Sequence, residues 1–258
     1  MNPWTKKSIE IASRPGYLDL LYAVYPILPS GRRTIPASEW DEIKIMFEER
    51  DNIGLFKLLL KQPIFPIKDS YVASFKLDES NVIKNPETVR RISARLYEMG
   101  LDEIFEKCTE PKETNRQMGQ LFKKWITSGV LGIKSKSPTD FEADERDAVL
   151  DASDTEMTNF ARENLDYQNE KRLDLVIRKN NQYIIGEAKF LTDRGGNQNN
   201  QFKDAKNIFD SSRVKATVVA VLDGVLYIPG RNSMYQDVIS NTGNIMSALV
   251  LKEFINSL

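Results

Sequence analysis

Two hydrophobic rhythms divide this chain. Through the first 110 residues apolar side chains recur at helical spacing, broken by proline and glycine. The segments WTKKSIEIAS and YLDLLYAVYPI predict short helices on either side of Pro15-Gly16. A helix opened by Ser38-Glu39 runs to about Glu49, with Trp40, Ile43, Ile45 and Met46 at its apolar positions. The next, DNIGLFKLLLKQ, is closed by Pro63. In KNPETVRRISARLYEMG, Asn85 is placed to cap, Pro86 takes the first helical position and Gly100 stops the helix. Val89, Ile92, Leu96 and Met99 form its buried stripe; Arg90, Arg91 and Arg95 lie off it, as solvated charges or a phosphate-facing patch.

Beyond residue 110 the pattern mixes both periods. Thr114 and Gln117 form a capping box ahead of a stripe of Met118, Leu121, Phe122, Trp125 and Ile126 that ends near Gly129. The acidic run FEADERDAVLDASD reads as exposed loop, and Ser153 with Glu156 forms a second capping box before TEMTNFARENL. Next come LDLVIRK and QYIIGEAKF, two apolar runs around Asn180-Asn181, predicting a hairpin. A polar loop, TDRGGNQNN, leads to a helix from about Gln201 to Phe209, and VKATVVAVLDG follows as a strand buried on both faces. Asp223 falls in a turn, VLYIP is a short strand, and TGNIMSALVLKEFINSL is a closing helix. The expected class is α/β: a mixed sheet flanked by helices over residues 111–258, with a helical layer over 1–110 that reads DNA, builds a dimer or braces the core, the whole forming one compact unit.

Composition narrows the chemistry. The 258 residues are 41% apolar and 28% charged with a net charge of −1, so no global basic field announces a polyanionic partner. No apolar run approaches the ~20 residues of a membrane span, and a single cysteine, Cys108, fits a cytoplasmic protein without disulfides. Histidine is absent altogether, which removes the commonest general base and every serine–histidine or cysteine–histidine scheme. Carboxylates, lysine and a hard metal ion are the tools that remain.

The hairpin carries charges that stability alone does not explain. A two-residue Asn180-Asn181 turn sets Lys179 opposite Gln182, Arg178 opposite Tyr183, Val176 opposite Ile185 and Asp174 opposite Glu187. Opposed residues share a face about 5 Å apart, where two carboxylates repel unless a cation lies between them. Lys189, two residues past Glu187, projects from the same face, while Ala188 points the other way. Such a patch suits phosphodiester hydrolysis: Asp174 and Glu187 would hold a hard cation, and Lys189 would position water or offset developing charge.

Leu173-Asp174, twelve residues, then Glu187-Ala188-Lys189 resembles the PD-(D/E)xK nuclease superfamily in spacing and in its strand-turn-strand setting. Leucine stands where that motif has proline. The likeness covers roughly residues 110 to 230 and implies the αβββαβ restriction-endonuclease-like core. Within the superfamily the chain resembles type II restriction endonucleases. That resemblance implies one or two Mg²⁺ ions held by Asp174, Glu187 and the backbone carbonyl of Ala188, with Glu113 assisting from the preceding helix. It implies double-stranded DNA as substrate and a homodimer to cut both strands. A structure-specific or repair nuclease on the same core, or a non-catalytic DNA-binding module, would share these features.

Sequence readers are expected in the segment that leaves the catalytic strand. Asn197, Gln198, Asn199, Asn200 and Gln201 carry the paired donors and acceptors that suit base edges, and Arg194 could meet phosphate or guanine. Lys123, Lys124 and the KSKSP run are expected as solvated charges or as phosphate holders, as is the Arg231-Asn232-Ser233 stretch.

Overall fold

The computed structural model describes residues 1–27, 31–111, 117–210 and 213–258. The chain divides into two compact units, Met1–Ile27 with Glu113–Leu258, and Leu28–Lys112. The first 27 residues, grouped by sequence with the helical region, therefore belong with the sheet. Their helices α1 (Pro3–Ala12) and α2 (Tyr17–Val24) are tied there by hydrogen bonds from Thr5 Oγ1 to the Ile245 carbonyl (2.7 Å) and from the Ser247 amide to Ser8 Oγ (2.9 Å).

The Leu28–Lys112 unit contains α3 (Ala37–Glu48), α4 (Asn52–Lys61), α5 (Val72–Leu77), α6 (Asn81–Lys84) and α7 (Pro86–Cys108) around a core that includes Ile43, Phe56, Leu59, Ile92, Leu96 and Ile104. Gly100 interrupts α7 with φ 78° and ψ 164°, as its position predicts, and helix resumes at once after it. Asn85 precedes Pro86 but does not cap: its amide donates to the Asn81 carbonyl at 2.9 Å. Arg90 pairs with Glu87 and Arg91 with Asp69, so these two cations are engaged locally.

The other unit continues with α8 (Met118–Thr127), β1 (Ser135–Lys136), α9 (Pro138–Ala143), β2 (Ala148–Leu150), α10 (Asp154–Asn164), β3 (Leu175–Lys179), β4 (Gln182–Leu191), α11 (Gly196–Lys206), β5 (Thr217–Gly224), α12 (Ser233–Ser240), β6 (Asn244–Met246) and α13 (Ala248–Asn256). One sheet runs β1-β2-β3-β4-β5-β6; β2, β3 and β4 are mutually antiparallel neighbours, and β4, β5 and β6 are parallel. The sequence α8, β2, β3, β4, α11, β5 is the expected αβββαβ order, with α10 inserted between the first two strands of the core. Among the described residues no helix is long and apolar enough to cross a membrane.

Alternation along the strands separates two faces. Leu175, Ile177, Ile184 and Ala188 pack on one side with residues of α2, α8 and α13, including Leu21, Phe122 and Leu251. Val176 and Ile185 pack on the other side with Met157 and Phe160 of α10, and Leu191 with Phe202 of α11. Residues 187 and 189 have the parity of Ile185 and Leu191, which places Glu187 and Lys189 on this second face.

Several elements differ from expectation. The acidic run is not exposed loop: it supplies α9 and the fully buried strand β2, while Asp147 accepts from Lys179 Nζ (2.6 Å) and the Asn180 amide (2.9 Å). Paired acids here neutralise strand-end cations, and that made a strand look like surface. The polar loop is shorter than expected because α11 begins at Gly196 rather than near Gln201. VLYIP is not a strand; residues Val225–Tyr227 form a 3₁₀ turn. Gly224 turns the chain with φ 99°, and a Cβ there would lie 2.0 Å from the Leu191 carbonyl oxygen. The closing helix is preceded by the short strand β6, and α12 stands ahead of it.

Asp223 lies at the buried end of β5, not in a turn. Its carboxylate accepts from Tyr25 OH (2.8 Å), Ser247 Oγ and the Ala248 amide (3.2 Å). Burial lifts its pKa to about 6 in spite of these donors. The Tyr25 ring meets Phe190 edge-on at 5.0 Å, so this network braces the strand end just past Lys189.

Candidate active site

The hairpin forms in the expected register. Asn180 and Asn181 both take positive φ, 50° and 60°, the geometry of a two-residue turn between twisted strands. Lys179 faces Gln182, Arg178 faces Tyr183 and Val176 faces Ile185. The ladder then closes at Leu175 and Gly186, one pair before Asp174. The direct opposition of Asp174 and Glu187 is not formed, because the Asp174 amide donates to the Gly186 carbonyl (2.9 Å) and the chain leaves the sheet there. Two desolvated carboxylates side by side would repel. In the observed arrangement the Asp174 carboxylate instead accepts the Ala188 amide at 2.8 Å.

Leu173 explains itself at this point. It is fully buried, and its amide donates to Thr158 Oγ1 of α10 at 3.0 Å. Proline has no N–H to make that bond, so leucine anchors the entry to Asp174 by a different means.

Asp174, Glu187 and Lys189 meet beside the ladder's end. Lys189 Nζ lies 2.9 Å from Glu187 Oε1 and 3.5 Å from Asp174 Oδ2. The Glu187 side chain is only 7% exposed, against 23% for Asp174 and 32% for Lys189, so the site is an enclosed corner with one open side. Burial raises the pKa of both carboxyl groups, and the Lys189 charge opposes that rise. For Lys189 burial works against its charge, but the two carboxylates outweigh it and raise its pKa. The lysine is held as an ammonium by the acids it neutralises. Ala188 faces the opposite side of β4 and packs in the core, as expected.

The donor set fits a hard cation. Glu187 Oε2 is buried without a hydrogen-bond partner, a costly state for a carboxylate oxygen that a divalent ion would relieve. In an extended strand a residue's N–H and C=O point to the same side. The Ala188 carbonyl therefore faces the gap vacated by β3, where its amide meets Asp174. Among the described residues no group of three or more acids, cysteines or histidines gathers. Glu113 and the Thr114 half of the expected capping box lie outside the described residues.

The expected base readers are sorted by α11. This helix leaves directly from the catalytic strand, with Phe202 and Ala205 buried, Asn197 and Asn200 exposed, and Gln198, Asn199 and Gln201 half-buried. Gln198 Oε1 accepts the Thr192 amide at 3.2 Å and so shapes the connection itself. The Arg194 guanidinium donates to the Ile228 carbonyl at 3.0 Å. Asn197 and Asn200 remain presented outward beside Lys203. Asn232 is not merely solvated; its side chain caps α12 by accepting the Tyr235 amide at 2.8 Å.

A cleft not anticipated from sequence opens beside Asp174, walled by Gln120 and Lys123 of α8, Ser153 and Asp154 at the start of α10, and Arg172. Lys123 is half-buried and donates to the Ala152 carbonyl, so it is not the free surface charge expected. Arg172 stands two residues before Asp174, and that adjacency was the one available signal. Lys136, in the other stretch expected as solvated, pairs with Asp144 and is only 14% exposed.

Over residues 2–258 the chain matches the family model described as Tsp45I type II restriction enzyme. Neither the curated proteins nor the solved structures give a significant match.

Proposed function

The chain belongs to the Tsp45I type II restriction enzyme family, and from that premise we propose that Asp174, Glu187 and Lys189 are the catalytic centre of a PD-(D/E)xK endonuclease that cuts both strands of a specific DNA sequence. The observation that carries this reading is the corner where Lys189 touches both carboxylates while the buried Glu187 Oε2 has no partner.

Asp174, Glu187 and the Ala188 carbonyl would hold one or two Mg²⁺ ions, with Glu113 assisting. When bound, such an ion polarises the phosphate and eases ionisation of a water. The remaining tasks fall to the chain's own groups. Lys189 Nζ, fixed by Glu187 at 2.9 Å, orients the attacking water and offers its hydrogens to the charge that builds on phosphorus oxygens. The Ala188 amide at 2.8 Å locks the Asp174 carboxylate in one orientation, so its other oxygen is presented to the open side. Leu173, Val176 and Ile185 wall the corner with apolar surface, which excludes bulk water and strengthens every charge interaction inside.

Double-stranded DNA is the substrate in this reading, and a two-fold homodimer presents one centre to each strand. The outward amides of Asn197 and Asn200, with Asn199 and Gln201 behind them, would meet base edges, while Arg194 and Gln198 hold the connection between β4 and α11 in place. The test is duplex cleavage by Glu187→Ala and Lys189→Ala variants shown to be folded. Loss of cutting in both, by about a hundredfold or more, supports the assignment; full activity in either overturns it.

A further inference from the structure

The cleft beside Asp174 has a volume of about 450 Å³ and presents two cations, Lys123 and Arg172, to the same space as Asp154 and Asp174. Its cations differ in their commitments. Lys123 spends one hydrogen on the Ala152 carbonyl, which fixes the ammonium in the wall and leaves further hydrogens to give. Arg172 is exposed and, among the described residues, has no hydrogen-bond or ion-pair partner. Lys171, whose charge acts on Glu187, is by contrast paired with Asp204. Gln120 adds an exposed amide across from Arg172.

A guanidinium without a partner among the described residues, lying beside a nuclease centre, is poised for an anion of fixed spacing. Successive phosphates of one DNA strand lie several ångströms apart, so a phosphate next to the scissile one falls just outside the metal-binding corner. Arg172 is joined to that corner by Leu173 alone, and Leu173 is clamped by its bond to Thr158. The backbone of Arg172 is therefore held two residues from Asp174, and both side chains line the same cleft. We propose that this cleft seats a non-scissile backbone phosphate of the DNA strand being cut, gripped by Arg172 and Lys123 with Gln120 assisting. The inference rests on the nuclease reading and deepens it. Asp154, exposed at the cleft and raising the pKa of Asp174 by its charge, opposes phosphate entry.

Equilibrium binding of full-length protein to a fluorescent duplex of mixed sequence, in EDTA and over a series of salt concentrations, tests this without relying on cleavage. Arg172→Ala is expected to weaken binding about tenfold and to reduce the slope of log K against log salt by about one, as loss of a single phosphate contact does. Asp154→Asn is expected to tighten binding in EDTA, a change of opposite sign that misfolding would not produce. Lys252→Ala, an exposed change on α13, is expected to leave both quantities as in the wild type. Salt-dependent wild-type binding with an unchanged slope in Arg172→Ala overturns the phosphate seat and leaves the nuclease reading standing. A wild-type protein that binds no duplex at any salt overturns both.

Discussion

Replacing Asp223 by asparagine isolates the electrostatic cost of the network that braces the catalytic strand. The carboxyl is completely buried, and its pKa is raised from the ordinary 3.8 to about 6. Between those values the native state keeps a proton that the unfolded chain has released. The stabilising contribution is therefore whole below about pH 4 and is lost as pH rises through about 6. At ~1.4 kcal/mol per pH unit the full loss is about 3 kcal/mol. Asparagine removes the titration while preserving shape: its carbonyl still accepts the Ala248 amide and the Tyr25 hydroxyl, and the Ser247 hydroxyl can turn to accept from its amide. Urea denaturation of both proteins in a Trp40→Phe background, followed by Trp4 and Trp125 fluorescence, reports on the sheet unit alone. The wild type should lose about 3 kcal/mol relative to the variant between about pH 4 and pH 7. Parallel stability curves across that window would refute the assignment of a strained, buried acid at this position.

Gly224→Ala should destabilise the sheet unit by about 3 kcal/mol or more, because the new Cβ meets the Leu191 carbonyl oxygen at 2.0 Å on a backbone with φ 99°; a melting temperature equal to wild type would contradict it. Cys108, the one cysteine, is buried with its thiol pushed up to about 12, so a disulfide reagent at neutral pH should modify it only as the Leu28–Lys112 unit opens. Prompt, stoichiometric labelling in native buffer would refute that packing. Asn197→Ala and Asn200→Ala should change which sites are cut while leaving calorimetric affinity for divalent cation as it was; identical fragment patterns from both would return α11 to a structural role.

What could be read from the sequence depended on how far apart the cooperating residues lie. The hairpin register follows from one local rule, positive φ at Asn180 and Asn181, and period-two alternation then carried Asp174, Glu187 and Lys189 to one face. The strand end was less legible, since the ladder opens where opposed carboxylates would repel and the Ala188 amide offers Asp174 a better partner. Short strands escaped for a different reason. Three residues of β2 and three of β6 show no period of their own, and their burial is imposed by neighbours distant in sequence. The amide-rich stretch looked like loop because asparagine and glycine favour turns, yet Phe202 and Ala205 supply a helical buried stripe that wins once α11 packs on the sheet. The anchoring of Lys123 was not legible on the same grounds: its partner, the Ala152 carbonyl, is supplied only by the fold.

The most direct measurement is incubation of the purified protein with unmodified, sequence-diverse duplex DNA, in Mg²⁺ and in EDTA, beside Lys189→Ala, with the fragment ends sequenced. Discrete fragments sharing one end sequence, formed only with Mg²⁺ and an intact Lys189, are the predicted result. Intact DNA under every condition, or cutting that survives both EDTA and the loss of Lys189, would contradict the metal-dependent centre at Asp174, Glu187 and Lys189.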